Sequence, residues 1–151
     1  MTDNDQWNKW VKGFLKNWFD GLMKGMENLE GETRGIALEH AGRNCARVSA
    51  LETFKSAWDN TDNIDDALEF LNKEFKTGTY KKIANNAVQV TYAKCYCPLV
   101  RLELVNSPHL CDCSVAWHRE NFEEVLNKPV KVTVDEAVLR GGEKCRLTVS
   151  F

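Results

Sequence analysis

The amino-acid sequence predicts an α+β fold in which N-terminal helices pack on a C-terminal antiparallel sheet, with one helix between two hairpins. Three observations favour this fold. Apolar residues recur every three or four positions in the first half, the period changes to two after Gly78, and Gly141-Gly142 separates two alternating segments. With 151 residues, 43% of them hydrophobic, the chain is long enough for one sizeable core and too short to favour two.

We therefore interpret residues 1–151 as a single domain with three parts. These are an amphipathic N-terminal helix in residues 1–30, a helical part in 31–78, and a sheet-rich part in 79–151 that carries two Cys-x-Cys pairs. Further helices are predicted over residues 32–47, through Leu51, Phe54 and Trp58, over 64–75 with Asn63 or Asp62 as the cap, and over 114–127. Strands are predicted over 88–92, over 100–104, and in a hairpin of 130–134 with 145–151.

The first helix is predicted from a long apolar stripe with helical spacing. Its members are Trp7, Trp10, Val11, Phe14, Leu15, Trp18, Phe19, Leu22, Met23 and Met26. Asp3 or Asp5 is the expected N-cap, and Gly31 lies just past the expected end. We expect the three tryptophans of this helix to belong to the core or to a pocket wall rather than to lie on a membrane surface.

Composition and charge narrow the class of partner. Lys and Arg number 20 against 22 Asp and Glu, with no basic block, so we expect no nucleic-acid partner. No segment approaches the ~18 uncharged apolar residues of a membrane span. Residues 1–6 lack the features of an export signal, and we expect the protein to lie in the cytoplasm. A small organic molecule is the expected partner, and a homodimer is the assembly left open.

Two Cys-x-Cys pairs carry the main chemical signal. Strand geometry continued to Cys97 would place Cys95 and Cys97 on the same face, where both sulfurs reach one ion. Cys111 and Cys113 immediately precede the predicted helix at Ser114. Four thiolates complete a tetrahedral shell for Zn²⁺, which makes zinc the candidate cofactor. Further candidate ligands are His109, His118, His40 and Cys45.

A thiol site without metal is the alternative, since Cys-x-Cys also occurs in redox pairs and without any function. The unpaired N–H groups of a helix N-terminus favour a thiolate, which makes Cys113 the candidate nucleophile, with His118 or His40 as base. We expect a pocket lined by Cys45, His40, Cys95 and Trp117. A lone histidine on a small-residue helix face is more often a core residue than a ligand, and Cys145 is expected to be a small buried hydrophobe.

The order of these motifs resembles a known group of proteins. Gly42-Arg43-Asn44-Cys45-Ala46, Cys95-Tyr96-Cys97-Pro98, Cys111-Asp112-Cys113-Ser114 and the ending from Val134 to Cys145 are similar to small bacterial proteins related to L-2-amino-thiazoline-4-carboxylic acid hydrolase. These resemble the 4-vinyl reductase domain. The resemblance covers residues 31–151 and implies helices packed on an antiparallel sheet, a small-molecule pocket and, in the 4-vinyl reductase branch, cysteine-bound metal.

One departure from that branch bears on the metal. Leu139 stands where the branch can carry another cysteine, so its metal site does not transfer intact to this chain. Three functions compete: a small-molecule-binding domain with a zinc-binding cysteine cluster, a hydrolase that opens a small C=N or amide ring, and a thiol or metal redox switch.

Overall fold

A computed structural model describes residues 2–151. The helices in this range are α1 (Asp3–Glu27), α2 (Gly31–Ser49), α3 (Leu51–Asp59), α4 (Ile64–Glu74), α5 (Pro98–Arg101) and α6 (Cys111–Leu126), with short 3₁₀ turns at Pro108–Leu110 and Val138–Arg140. The strands are β1 (Gly78–Ala84), β2 (Ala87–Tyr92), β3 (Lys131–Glu136) and β4 (Cys145–Ser150).

The four strands form one antiparallel sheet in the order β1-β2-β4-β3. Two hairpins, β1–β2 and β3–β4, are joined along the chain by the short α5 and the long α6. The predicted α+β fold is confirmed, with two helices rather than one between the hairpins. The alternation of the strands places Val88, Val90, Leu147 and Val149 on the face covered by helices. That face contributes to the larger of two hydrophobic clusters.

One predicted strand is wrong. Residues 100–104 alternate in polarity, but they follow Pro98, which fits the first position of a helix, and the chain forms α5 instead. Glu103 then adopts a left-handed φ of 60°, which ends the helix and directs Leu104 and Val105 into the interior. The hairpin partner of β2 is therefore β1, and β4 lies on its other side. The apolar pattern does not reveal β1, an edge strand, because Tyr80 is its single buried residue.

Two separate hydrophobic clusters support the fold. The first contains α3, α4, α6 and the sheet around the fully buried Phe54 and Phe122, whose rings meet edge to face at 5.3 Å. The second lies under the C-terminal half of α1, where Met23 and Met26 pack with residues of α2 and of the segment between α5 and α6. Cys97 and Cys113 pack against the second cluster.

The N-terminal half of α1 lies outside both clusters. Trp7, Trp10, Phe14 and Trp18 are 60%, 58%, 52% and 54% exposed, so the expectation that these tryptophans belong to the core or a pocket wall is wrong. The helix begins with Thr2 as N-cap, whose side chain accepts from the Asp5 amide while Asp5 caps in return. Among residues 2–151, no helix combines the length and the apolar character that a membrane crossing requires.

Helices α2 and α6 pack in close contact at a glycine. A Cβ atom on Gly42 would overlap the carbonyl oxygen of Cys113 and lie 2.7 Å from the Cβ of Ala116. Only a residue without a side chain allows this approach. The contact brings Cys45, one turn along α2 from Gly42, beside the first turn of α6.

A buried carboxylate fixes the same pair of helices. Glu120 of α6 is 2% exposed and accepts hydrogen bonds from Arg43, at 2.6 Å, and from Arg47, both on α2. Burial raises the pKa of Glu120, but the hydrogen bonds from the two guanidinium groups outweigh it and hold that pKa below its usual value. The ion pairs thus fix the relative position of the two helices that carry Cys45 and Cys113.

Candidate functional site

All six cysteines of the chain line one pocket of about 330 Å³. The pocket lies between α2, the start of α6, the loop after β2 and the β3–β4 hairpin. Its remaining walls are mainly aromatic and aliphatic: Phe75, Tyr80, Tyr92, Trp117, Val134 and Leu147. Because these walls come from both halves of the chain, the pocket exists only when the helices are docked on the sheet.

The cysteines reach the pocket from four different places. Cys45 lies on α2, Cys95 and Cys97 on the loop between β2 and α5, Cys111 and Cys113 in the first turn of α6, and Cys145 at the start of β4. Strand geometry ends at Tyr92, so the assumption that placed Cys95 and Cys97 on one face of a strand is wrong. Helix α6 starts at Cys111 rather than at Ser114. Cys145 lines the pocket and is not a core residue.

Three of the pocket thiols, those of Cys95, Cys111 and Cys113, are protonated at neutral pH. Burial raises the pKa of Cys113 to about 12 and that of Cys111 to about 11, and it raises the pKa of Cys95 as well. Negative charge on the neighbouring Cys45 and Cys97 would disfavour a Cys113 thiolate further. Burial thus opposes the effect of the helix N-terminus that was expected to make Cys113 the most reactive thiol, and the reactivity of Cys113 stays a prediction.

The four cysteines predicted as zinc ligands line the same pocket without converging on one point. Within residues 2–151, no group of three or more His, Cys, Asp or Glu side chains is placed to hold a metal ion. The set of Cys95, Cys97, Cys111 and Cys113 thus does not fit a tetrahedral zinc shell as the structure positions it.

A hydrogen-bonded chain of aromatic side chains forms the polar part of the pocket. The Nδ1–H of His118 donates to the Ser114 carbonyl at 2.7 Å, which leaves Nε2 to accept from the Tyr92 hydroxyl at 2.9 Å. Tyr92 in turn lies 3.3 Å from the hydroxyl of Tyr80. Burial lowers the pKa of His118 to about 4 and raises that of Tyr92 to about 12. The three hydrogen-bonded side chains, His118, Tyr92 and Tyr80, are therefore all neutral at physiological pH.

The other predicted site residues are separated. Trp117 forms a pocket wall and its Nε1–H donates to the Ser49 hydroxyl at 3.0 Å. His118 borders the pocket, whereas His40 lies on an exposed face of α2 and is not among the lining residues. Sequence reasoning missed Tyr80 and Tyr92. The signal for Tyr92 was its polar end at the close of an apolar alternation, since a buried hydroxyl requires a hydrogen-bond partner.

The pocket mouth is closed on one side by the β3–β4 connection. Glu136 accepts from the amides of Glu143 and Lys144 at 3.0 and 3.3 Å, and its other oxygen lies 3.6 Å from Arg146. A Cβ on Gly142 would lie 2.6 Å from Glu136 Cγ, so this glycine allows the turn to fold over the carboxylate. The Glu136 carboxylate therefore stabilises the β3–β4 loop through these contacts.

Comparison with known proteins identifies the fold and no family. No family model matches the sequence, and no curated protein matches it either. Among solved structures, the chain is similar to trafficking protein particle complex subunit 3 from Naegleria fowleri covalently bound to palmitic acid, at 15% identity and a TM-score of 0.55 over 94% of this chain and 95% of that one. It is also similar to the phenol-responsive sensory domain of the transcription activator PoxR with phenol, at 14% identity and a TM-score of 0.58 over 93% of this chain and 72% of that one.

Proposed function

We propose that this chain is a small-molecule-binding domain and that the cysteine-lined pocket takes a small, largely apolar organic ligand. The observation that carries the proposal is the pocket itself, which has a volume of about 330 Å³ and is lined mainly by aromatic, aliphatic and thiol groups. Binding sites of this size are typically preformed, mostly apolar clefts with few polar groups. The two structural neighbours, which bind phenol and palmitic acid, use the same fold and support this assignment.

The pocket chemistry restricts the ligand further. A dry cavity of roughly 150 Å³ lined by apolar side chains holds one benzene, so this pocket has room for one or two rings or a short alkyl chain. The Nε2 of His118 is already occupied by Tyr92, and Tyr92 keeps one lone pair for a ligand donor. The preferred ligand therefore carries at most one hydroxyl-type group and buries no charged group, because the charged lining residues are Glu136, which is held in its loop, and Lys94, which is exposed to solvent.

The finer functions predicted from the sequence have less support. A hydrolase requires an activated nucleophile, but Cys113 is a neutral thiol and both nitrogens of His118 are hydrogen-bonded. A zinc-bound water requires ligands that converge, and these do not. A redox switch stays a prediction based on the number of free thiols in the pocket.

A pair of matched variants tests ligand binding. Phenol and a short saturated alcohol are titrated separately, and the free energy of unfolding in urea is followed together with alkylation of each cysteine by mass spectrometry. A bound ligand raises the free energy of unfolding, by about 2.7 kcal/mol at a hundredfold excess over Kd, and shields the pocket thiols. Val134→Phe fills the pocket and should abolish both effects, while Val48→Phe, on the exposed surface of α2, should retain them.

The proposal fails on either of two results. One is that neither probe stabilises the protein or protects any cysteine. The other is that Val134→Phe binds as well as Val48→Phe, which would place the ligand outside this pocket.

A further inference from the structure

A stripe of residues along one face of α1 carries aromatic side chains from Trp7 to Trp18 and then only the glycines Gly21 and Gly25. The residues follow helical steps of three and four: Trp7, Trp10, Phe14, Trp18, Gly21 and Gly25. All four aromatic residues are more than half exposed, and a Cβ on either glycine would meet nothing within 4 Å.

Neither half of the stripe is explained within the chain. A glycine in a helix interior is destabilising relative to alanine, and among the described residues no neighbouring element approaches Gly21 or Gly25 closely enough to require one. Tryptophan side chains that remain exposed are also unfavourable, because their apolar surface stays in contact with water. Contiguous apolar patches of this kind mark interaction surfaces.

We propose that the stripe is the interface of a homodimer in which two copies of α1 pack antiparallel about Phe14. With Phe14 facing its equivalent, Trp7 lies over Gly21 of the second copy and Trp10 lies against Trp18. Each bulky half thereby fills the bare half of the other helix. A parallel arrangement would oppose Trp7 to Trp7 and Gly21 to Gly21, which crowds one end and leaves a gap at the other.

Charge favours the same orientation. The first turn of α1 carries Asp3 and its last turn carries Lys24, both exposed. Antiparallel packing about Phe14 places Asp3 of one copy beside Lys24 and Gly25 of the other, and it aligns the two helix dipoles favourably. Parallel packing would bring the acidic first turns together.

The available area agrees with a dimer of ordinary size. Half-exposed aromatic side chains contribute on the order of 100 Å² each. The overlap of residues 3–25 spans roughly 35 Å, and the flanking polar side chains along it bring each helix toward the ~800 Å² per partner of a stable interface. Because the interface is confined to α1, it leaves the cysteine-lined pocket accessible.

The first test is sedimentation velocity of the full chain over a range of concentrations. Wild type should show a reversible monomer–dimer equilibrium, and Phe14→Glu should raise the dimer Kd at least about tenfold. Val48→Glu, an equally apolar and exposed position on α2, should leave the Kd unchanged. A wild-type chain that stays monomeric, including one that instead sediments with vesicles of phosphatidylcholine and phosphatidylglycerol through the stripe, overturns the proposal.

Two further variants test the packing in detail. Gly21→Leu fits within the monomer because its surroundings are open, yet it should weaken the dimer by blocking Trp7. Asp3→Lys and Lys24→Glu should each weaken the dimer, and the double variant should restore it, which a mere loss of the favourable interactions of these charges with the helix ends would not allow. A dimer unaffected by Gly21→Leu, or one not restored by the charge exchange, excludes the antiparallel interface.

Discussion

At the scale of single residues, His118 decides how the pocket behaves with pH. It is a buried imidazole with two hydrogen bonds, one given to Ser114 and one received from Tyr92, and its burial keeps it neutral. Protonation would remove the acceptor that Tyr92 needs and place a charge in an apolar environment, which is why burial lowers the pKa of His118 to about 4. The protonation state of His118 therefore affects both the polarity of the pocket and the free energy of unfolding.

The expected consequence is a loss of stability as the solution becomes acidic. The unfolded chain protonates His118 near its usual pKa of about 6.5, whereas the folded chain resists until about pH 4, so stability falls as pH drops through this window. Between pH 7 and pH 5 this one group should cost about 2 kcal/mol of unfolding free energy. Urea denaturation at both pH values should show that His118→Gln loses that much less than wild type.

His40 provides the control for this measurement. It lies on the exposed surface of α2, so His40→Gln should have the same pH dependence as wild type. If His118→Gln and His40→Gln respond identically to acid, His118 is not the group that titrates and the hydrogen-bonded chain is incorrectly assigned.

At the scale of elements, the contact between α2 and α6 positions Cys45 relative to Cys113. Gly42→Ala inserts a methyl group where the Cys113 carbonyl and Ala116 already lie, so the helices must separate. Overpacking of this kind costs about 1–3 kcal/mol. Gly35→Ala, in the same helix but with nothing within 4 Å, should instead stabilise by about 0.5–1 kcal/mol through helix propensity.

Thermal unfolding and thiol alkylation measure the two effects together. Gly42→Ala should lower the free energy of unfolding and accelerate alkylation of Cys45 and Cys113, because the gap between their helices opens. Gly35→Ala should accelerate alkylation of neither cysteine, and it should unfold no earlier than wild type. Equal stability of the two variants would show that α2 and α6 do not meet at Gly42.

The helices and strands also show how far the apolar periodicity of the sequence determines secondary structure. Helices α2, α3, α4 and α6 and strands β2, β3 and β4 follow their apolar periods, because each buries one face against neighbouring elements. Alternation failed over residues 100–104, where Pro98 and the left-handed Glu103 impose a helix and a turn on an apparently strand-like pattern. It also failed for β1, an edge strand that needs few apolar residues because β2 is its single strand neighbour.

At the scale of the whole molecule, the pocket depends on contacts that no local pattern encodes. The sequence distinguished the two Cys-x-Cys pairs, but Cys45 and Cys145 join them only because α2 docks on α6 and β4 lies at the centre of the sheet. Likewise, periodicity identified the apolar stripe of α1 but not which part of it would be left exposed. That outcome is determined by where the second cluster ends, near Leu15 and Phe19.

Because the chain has two separate hydrophobic clusters, we expect the two regions around them to unfold with different free energies. Met23→Ala should cost about 2–5 kcal/mol locally, by weakening the cluster under α1, while Leu71→Ala should cost a similar amount in the cluster beneath the sheet. Hydrogen exchange under native conditions should then separate them: Met23→Ala accelerates exchange in α1 and leaves β4 protected, whereas Leu71→Ala accelerates exchange in both. Because β4 is bonded on both sides by β2 and β3, its amides report global unfolding. If Met23→Ala accelerated β4 as much as α1, the two clusters would unfold as one cooperative core.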